Sequence, residues 1–389
     1  MIQTLHFSCE GESHKSNKKA CQDYSLTFNE VGLTVAIVCD GHGGERYFRS
    51  DVGAKLAAEV TLDSVKSFVN SIREDFFKDK QYTAIGPTNT IEDAELLSDI
   101  DVAFRRLFSS IIYKWNEYID EHSKANALTE WEKNNVSQKY IDEYLCASSY
   151  EKYYGCTLMT YVQTANYWFA FHIGDGKCIS FQDNPVWKEP IPWDERCFLN
   201  KTTSLCDTEA IEEFRYCYQG NGVFPTAIIL GSDGMDDSFG ETENLVNFYV
   251  QILKMLINKG KEATEESIVK ELPELSKIGS KDDMSVAIVY DTEKLLKEIN
   301  HFIQFQIKLV EDNIRQIDER INMLSNKLES ENLESSEEKE KIEKEYSKKE
   351  LEKANESRRN LLMRHDALCQ QLKEEESLPY KNDLDEEKK

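Results

Sequence analysis

The sequence predicts a mixed helix-and-strand domain over residues 1–291 followed by a helical extension. Three observations carry this expectation. Four short runs rich in β-branched and aromatic residues are interleaved with stretches whose apolar residues recur at helical spacing. These runs are nearly continuously apolar, which fits strands covered on both faces. After Asp291 the strand-like runs stop and apolar residues step by three and four.

In chain order, the first strand candidate is 33–39 (LTVAIVC), and a helix is expected over 54–72. Residues 76–96 and 122–150 are polar and irregular and read as surface loops or insertions. Between them Ile100, Phe104, Leu107, Ile111, Trp115 and Tyr118 mark one face of a second helix. Strand candidates follow at 167–173, 226–230 and 284–290. The intervening 181–225, with Pro185, Pro190, Pro192 and Pro225 among charged residues, reads as loop.

Beyond Asp291, residues Ile307, Val310, Ile314, Ile317, Ile321, Leu324 and Leu328 form a heptad seam. A polar break at 329–340 separates it from a weaker seam through Ala354, Leu361, Leu368 and Leu372, interrupted by His365. Two helices of about 35 residues, each about 50 Å long, are expected over 292–377. They form either an antiparallel hairpin or an intermolecular coiled coil, self-associating or docking a partner helix through 299–372. Residues 378–389 are expected to be a disordered tail.

A chain of 389 residues can bury a sizeable core without disulfide staples. Its formal charge of −25 argues against nucleic acid as a partner, since a polyanion would be repelled. About −7 of this charge falls in 291–389, so the excess is not merely an appended tail. The ten cysteines lack a Cys-x-x-Cys pair and read as thiols in a reducing compartment. With no signal-like N-terminus and no apolar run of membrane-spanning length, a cytoplasmic protein without membrane contact is expected.

Chemistry is concentrated where strands end. The first strand runs into Asp40-Gly41-His42-Gly43-Gly44, and 226–230 runs into Gly231-Ser232-Asp233-Gly234, with Asp236 and Asp237 behind. Likewise 167–173 leads into Gly174-Asp175-Gly176, and Gly279-Ser280-Lys281-Asp282-Asp283 precedes the last strand. Any single Asp-Gly pair commonly marks a turn. Four strand ends with the same chemistry are another matter. Carboxylates converging at a sheet edge repel unless cations neutralise them, which implies oxygen-bound Mg²⁺ or Mn²⁺ rather than zinc.

As a set, these motifs resemble the metal-dependent protein serine/threonine phosphatases of the protein phosphatase 2C type, in the family's motif order over most of 1–290. The resemblance implies an α+β fold, a four-layer α-β-β-α sandwich of two mostly antiparallel sheets flanked by helices. It implies that Asp40 bridges two metals and that the Gly41 carbonyl, Asp233 and Asp282 are ligands. Asp175, with Asp233 and Asp237, corresponds to a third, weaker site in bacterial members. Gly155-Cys156-Thr157 and Ile173-Gly174-Asp175-Gly176-Lys177 match the two middle motifs. His42 corresponds to the general acid that protonates the leaving serine or threonine oxygen.

Two departures lie near the N-terminus. The family's glutamate–aspartate pair stands here as Gln22-Asp23, a form familiar in bacterial-type members, with Asp23 expected near the second metal. The phosphate-binding arginine is replaced by Lys18, with Lys15 and Lys19 nearby. Lysine offers a point charge where arginine offers a bidentate fork. The expected reaction is hydrolysis of phosphoserine or phosphothreonine in a protein by hydroxide bridging the metals. His172, inside an apolar strand, reads as structural, and Cys39, Cys156 and Cys178 lack a base partner. Two other readings remain: a phosphatase-like sensor or binding module with weak or no turnover, and a coiled coil that delivers the domain to a complex.

Overall fold

Alternate side chains of a strand leave opposite faces of its sheet, so a run buried on both faces must be apolar throughout. The computed structural model describes residues 1–83, 98–182, 187–198, 201–330 and 338–377. It divides the chain into two units, Met1–Leu295 and Leu296–Lys389.

The strands are β1 (Ile2–Cys9), β2 (Tyr24–Glu30), β3 (Leu33–Cys39), β4 (Gln81–Tyr82), β5 (Leu158–Thr164), β6 (Trp168–Ile173), β7 (Lys177–Phe181), β8 (Trp187–Lys188), β9 (Arg215–Gln219), β10 (Ala227–Gly231) and β11 (Met284–Asp291). The helices of the first unit are α1 (Glu12–Asn17), α2 (Ser50–Ser71), α3 (Ser98–Ala125), α4 (Glu130–Asn135), α5 (Gln138–Leu145), α6 (Ala210–Glu213), α7 (Asp233–Asp237) and α8 (Thr242–Ile278). The short α9 (Thr292–Lys297) leads out of it.

One sheet has the order β1-β11-β10-β7-β8 and the other β2-β3-β5-β6-β9-β4, with every pairing antiparallel. Their facing sides share one core. Ala36, Val38, Met159, Tyr161 and Trp168 from the second sheet pack with Ile228, Leu230, Ala287 and Val289 from the first. The intervening residues Val35, Ile37 and Cys39 turn outward and pack with Ala54, Ala57 and Val65 of α2 and Phe104, Phe108 and Trp115 of α3. On the far side α8 covers β1 and β11. These are the four layers expected, and they explain the continuous apolar runs. Each fully buried large side chain contributes about 1.5–3 kcal/mol.

Two expectations need correcting. Residues 122–150 are not loop: α4 and α5 form there. Thr129 caps α4 through a capping box with Glu132, and Glu132, Ile141 and Tyr144 are buried. The short apolar spacing was masked by charged residues that pair internally. The segment 181–225 likewise contains β9, whose Arg215 and Gln219 disguise a strand lying between β6 and β4.

In the second unit, α10 (Ile299–Ser330) and α11 (Glu338–Glu376) pack as a helical hairpin. Asp318 pairs with Arg358 and Glu311 with His365, so numbers fall along one helix as they rise along the other. Val310, Ala354 and Leu368 are buried at the seam, and Ile314, Ile317, Ile321, Leu361 and Leu372 are half-buried. Such exposed ion pairs contribute at most about 1 kcal/mol each, so the apolar seam holds the pair. The tail at 378–389 lies outside the described residues. No described helix is long and apolar enough to cross a membrane.

Candidate metal centre

In antiparallel sheets the C-terminal end of one strand lies beside the N-terminal end of its neighbour. The C-terminal ends of β3 and β10 therefore meet the N-terminal ends of β2 and β11, and residues 174–176 carry the chain from β6 in one sheet to β7, beside β10, in the other. That geometry gathers Asp40, Asp175 and Asp233 with Asp23 and Asp282, from segments far apart in sequence. Asp233 is the hub. Its charge acts on Asp23, Asp40, Asp175, Asp237 and Asp282 alike, and Asp40 shares a hydrogen bond with it.

Burial and repulsion raise the carboxyls of Asp23, Asp40, Asp175, Asp237 and Asp282 above their ordinary range. For Asp40 the causes are burial and then the charges of Asp233 and Asp23. For Asp23 they are burial and then Asp283 and Asp233. Loss of water and then Asp233 raise Asp237 and Asp282, and Asp175 is pushed up to about 6 by burial, Asp233 and Asp237. Asp283 differs. Burial would raise it, but hydrogen bonds from His14 and from the Gly11 and Gln22 amides hold it low.

A carboxyl that binds its proton more tightly folded than unfolded weakens folding as pH rises from the unfolded value through the folded one. For Asp175 that window runs from 3.8 to about 6. Without metal, Asp175→Asn is therefore expected to melt higher relative to wild type near pH 7 than near pH 4. A difference independent of pH would contradict this.

The donor set fits Mg²⁺ or Mn²⁺. It is all oxygen, it is crowded with negative charge, and Asp23 Oδ2 is buried with no hydrogen-bond partner. Gly41 approaches the backbone of Gln22 so closely that a Cβ there would lie 2.4 Å from the Gln22 carbonyl oxygen. The Gln22 amide nitrogen donates to the Tyr47 carbonyl and to Ser50 Oγ, and its Oε1 is buried without a partner.

His42 lies two residues beyond Asp40, with its backbone N–H donating to Gly155 O at 3.1 Å. Its ring packs edge-on against Tyr47 with centroids 4.8 Å apart, and Nε2 lies 2.7 Å from Ser204 Oγ. Burial lowers its pKa. A Cβ on Gly155 would lie 2.8 Å from both Cys206 Sγ and His42 Cδ2 and 2.9 Å from Tyr47 Cδ1. Gly155→Ala is expected to displace the His42 ring and lower turnover about tenfold or more, with Mn²⁺ binding retained. Titrating the variant with Mn²⁺ while following activity checks both parts.

Lys18 is exposed at the left-handed C-cap of α1 (φ 53°). Its neighbour Lys19 instead reaches the motif, donating from Nζ to Gly43 O at 2.8 Å. Both border a cavity of about 520 Å³ that Arg49, Asp51 and Trp131 also line. His172 is buried, and its Nδ1 lies 3.1 Å from Arg215 Nη2, within the strand core.

Three groups at the site escaped sequence reasoning. Asp283 Oδ1 accepts from Gly11 N at 2.6 Å, while its Oδ2 accepts from Gln22 N at 2.5 Å and pairs with His14 Nδ1 at 2.9 Å. It thereby ties the N-terminal segment to the closing motif. Ser204 was the second, and Lys19, noted only as a neighbour of Lys18, was the third, with no contact assigned to it. No spacing rule could find contacts across 162 or 269 residues, though the doubled aspartate at 282–283 was a visible hint.

A family model described as protein phosphatase 2C matches residues 10–273. No curated protein matches the chain. The chain is similar to several solved structures. The catalytic domain of the serine threonine protein phosphatase PstP, in complex with two manganese ions, is 15% identical; the match covers 75% of this chain and 99% of that one, with a TM-score of 0.41. Serine/threonine phosphatase Stp1 from Staphylococcus aureus is 14% identical, covering 75% and 95%, with a TM-score of 0.42. A C. elegans sex determining protein is 15% identical, covering 77% and 67%, with a TM-score of 0.45.

Proposed function

The chain belongs to the protein phosphatase 2C family, and from that premise we propose that it hydrolyses phosphoserine or phosphothreonine in a protein substrate. The observation that carries this reading is the convergence of five carboxyls on Asp233. Asp23, Asp40, the Gly41 carbonyl, Asp233 and Asp282 would hold two divalent cations, with Asp175 and Asp237 available to a third. Bound there, Mg²⁺ or Mn²⁺ would supply positive charge for the phosphoryl oxygens and ease the deprotonation of water.

The chain's own residues have separate tasks. Asp233 keeps the cluster negative enough to require cations. Lys19, anchored on the Gly43 carbonyl beside His42, brings positive charge to the rim, and Lys18 can reach a phosphate from solvent. His42 holds the proton that the departing serine or threonine oxygen needs.

The test is release of phosphate from a phosphoserine peptide and from p-nitrophenyl phosphate, with Mn²⁺ and with chelator. Turnover that requires Mn²⁺ and vanishes in Asp40→Ala supports the reading. Metal binding without turnover would favour a sensor module, a reading to which the exposed Lys18 lends support. For the hairpin we propose self-association or docking of a partner helix, and for the protein a cytoplasmic location. A solution mass of 45.0 kDa for the full chain would exclude self-association.

A further inference from the structure

We propose that the cavity between the start of α2 and α4 is a substrate subsite, which takes the residues flanking the phosphoserine and favours a carboxylate among them; this rests on the phosphatase reading above. The cavity shares a wall with the metal centre. Gln22 lines it, is followed in the chain by Asp23, and backs with its carbonyl oxygen onto Gly41. Lys19, also on the lining, reaches Gly43 O at 2.8 Å. An extended peptide advances about 3.3–3.6 Å per residue, so a chain whose phosphate sits over the carboxyl cluster comes alongside Lys19 within a few residues.

The walls are braced from inside. Arg49 donates from Nε to Glu132 Oε1 at 2.6 Å, and from its other two nitrogens to the Asn126 and Ala127 carbonyls at 3.3 and 3.2 Å. Those bonds fix the turn between α3 and α4 against the start of α2, and the capping box of Thr129 and Glu132 locks the end of the turn. Little ordering is therefore needed when a ligand enters. The volume of about 520 Å³ is that of a ligand site, and Phe48, Val52 and Trp131 offer apolar surface to the stem of a side chain.

Charge decides what fits. Arg49 and Glu132 neutralise each other, and all three guanidinium nitrogens are committed to the wall and to Tyr144 and Tyr154. Burial disfavours the charged form of His122, whose Nδ1 lies 2.9 Å from Tyr154 Oη. What is left is Lys18 and Lys19 against Asp51, whose carboxylate is occupied by the amides opening α2. Among the described residues the Lys18 ammonium meets no partner. That of Lys19 bonds only to the Gly43 carbonyl, while Asp51, Asp282 and Asp283 act on it through their charge. On a chain of net charge −25, a cavity with spare positive charge is an exception, and it attracts an acidic side chain.

The test uses the full-length chain with Mn²⁺ and phosphoserine peptides otherwise made of alanine and glycine. One glutamate is walked from four residues before the phosphoserine to four after it. At one or two positions glutamate is expected to lower KM about fivefold relative to alanine, with kcat unchanged. Lys18→Glu should reverse the order there, so that lysine is preferred to glutamate. Ala127 lines the cavity from an exposed turn, and Ala127→Trp, which fills it, should erase the preference. Turnover of p-nitrophenyl phosphate by Ala127→Trp should stay within about twofold of wild type. A KM indifferent to glutamate at every position, a wild type that prefers lysine, or a preference that survives Ala127→Trp overturns the proposal. If Ala127→Trp does not fold, Lys18→Glu decides in its place, and an unreversed preference overturns the subsite. If wild type cleaves neither the peptides nor p-nitrophenyl phosphate, the phosphatase reading fails. The same peptides, labelled and uncleaved, then report on the cavity by fluorescence anisotropy. Tighter binding of a glutamate peptide that is lost in Ala127→Trp is expected, and equal binding of all peptides overturns the proposal.

Discussion

Asp233→Asn is expected to make the metal-free protein melt higher than wild type and the Mn²⁺-loaded protein melt lower. Both signs follow from one position. Without cations, Asp233 repels Asp23, Asp40, Asp175, Asp237 and Asp282, so removing its charge relieves the cluster. With cations, the same charge becomes attraction, and a ligand that binds only the folded state at 100 times its Kd adds about 2.7 kcal/mol. Turnover should fall by more than about 100-fold, since even groups behind the ligands commonly account for 10–100-fold. Melting curves with Mn²⁺ and with chelator check the crossover. A variant that melts lower under both conditions would show that Asp233 acts structurally.

Arg49→Met should have the largest effect on stability alone. The Arg49 side chain is 4% exposed and that of Glu132 is 7% exposed, with Nε to Oε1 at 2.6 Å. The guanidinium also donates to the hydroxyls of Tyr144 at 2.8 Å and Tyr154 at 3.0 Å, and to the Asn126 and Ala127 carbonyls. Glu132 in turn closes the cap of α4 by accepting from the Thr129 amide. Removing one partner of such a pair strands the other charge, at a cost of about 3–5 kcal/mol. Thermal unfolding should move down by on the order of 10 °C. Arg49→Met with Glu132→Leu should regain part of that loss, because no buried charge is left over. A single-variant shift under about 2 °C would refute the assignment.

The sequence carried the fold where burial was two-sided. Continuous apolar runs located β3, β6, β10 and β11 to within a residue or so, because these strands have cores on both faces. It failed where polar side chains are spent on internal partners. Arg215 bonds to Pro192 O inside what looked like loop, and Glu132 sits under α4 rather than in solvent. At the site, glycine-flanked aspartates could be found one motif at a time. Their dependence on Asp233, the reach of Lys19 in place of Lys18, and the Ser204 contact are products of the completed fold, with no local signature. Heptad spacing read the two long helices well, since a seam is a property of each helix by itself.

The pairing of β1 with β11, from Ile2 opposite Asp291 to Cys9 opposite Met284, has a consequence for synthesis on the ribosome. The first strand made waits for the last strand of the domain before it has a neighbour in its sheet. The same delay applies to the carboxyl cluster, since Asp23 and Asp40 emerge 259 and 242 residues ahead of Asp282. Pairings this distant are slow to form, because their closure entropy is spent before any contact offsets it. A nascent or clipped chain lacking β11 therefore carries most of the motifs and no complete centre. The topology makes completion of the domain a precondition for assembling the cluster.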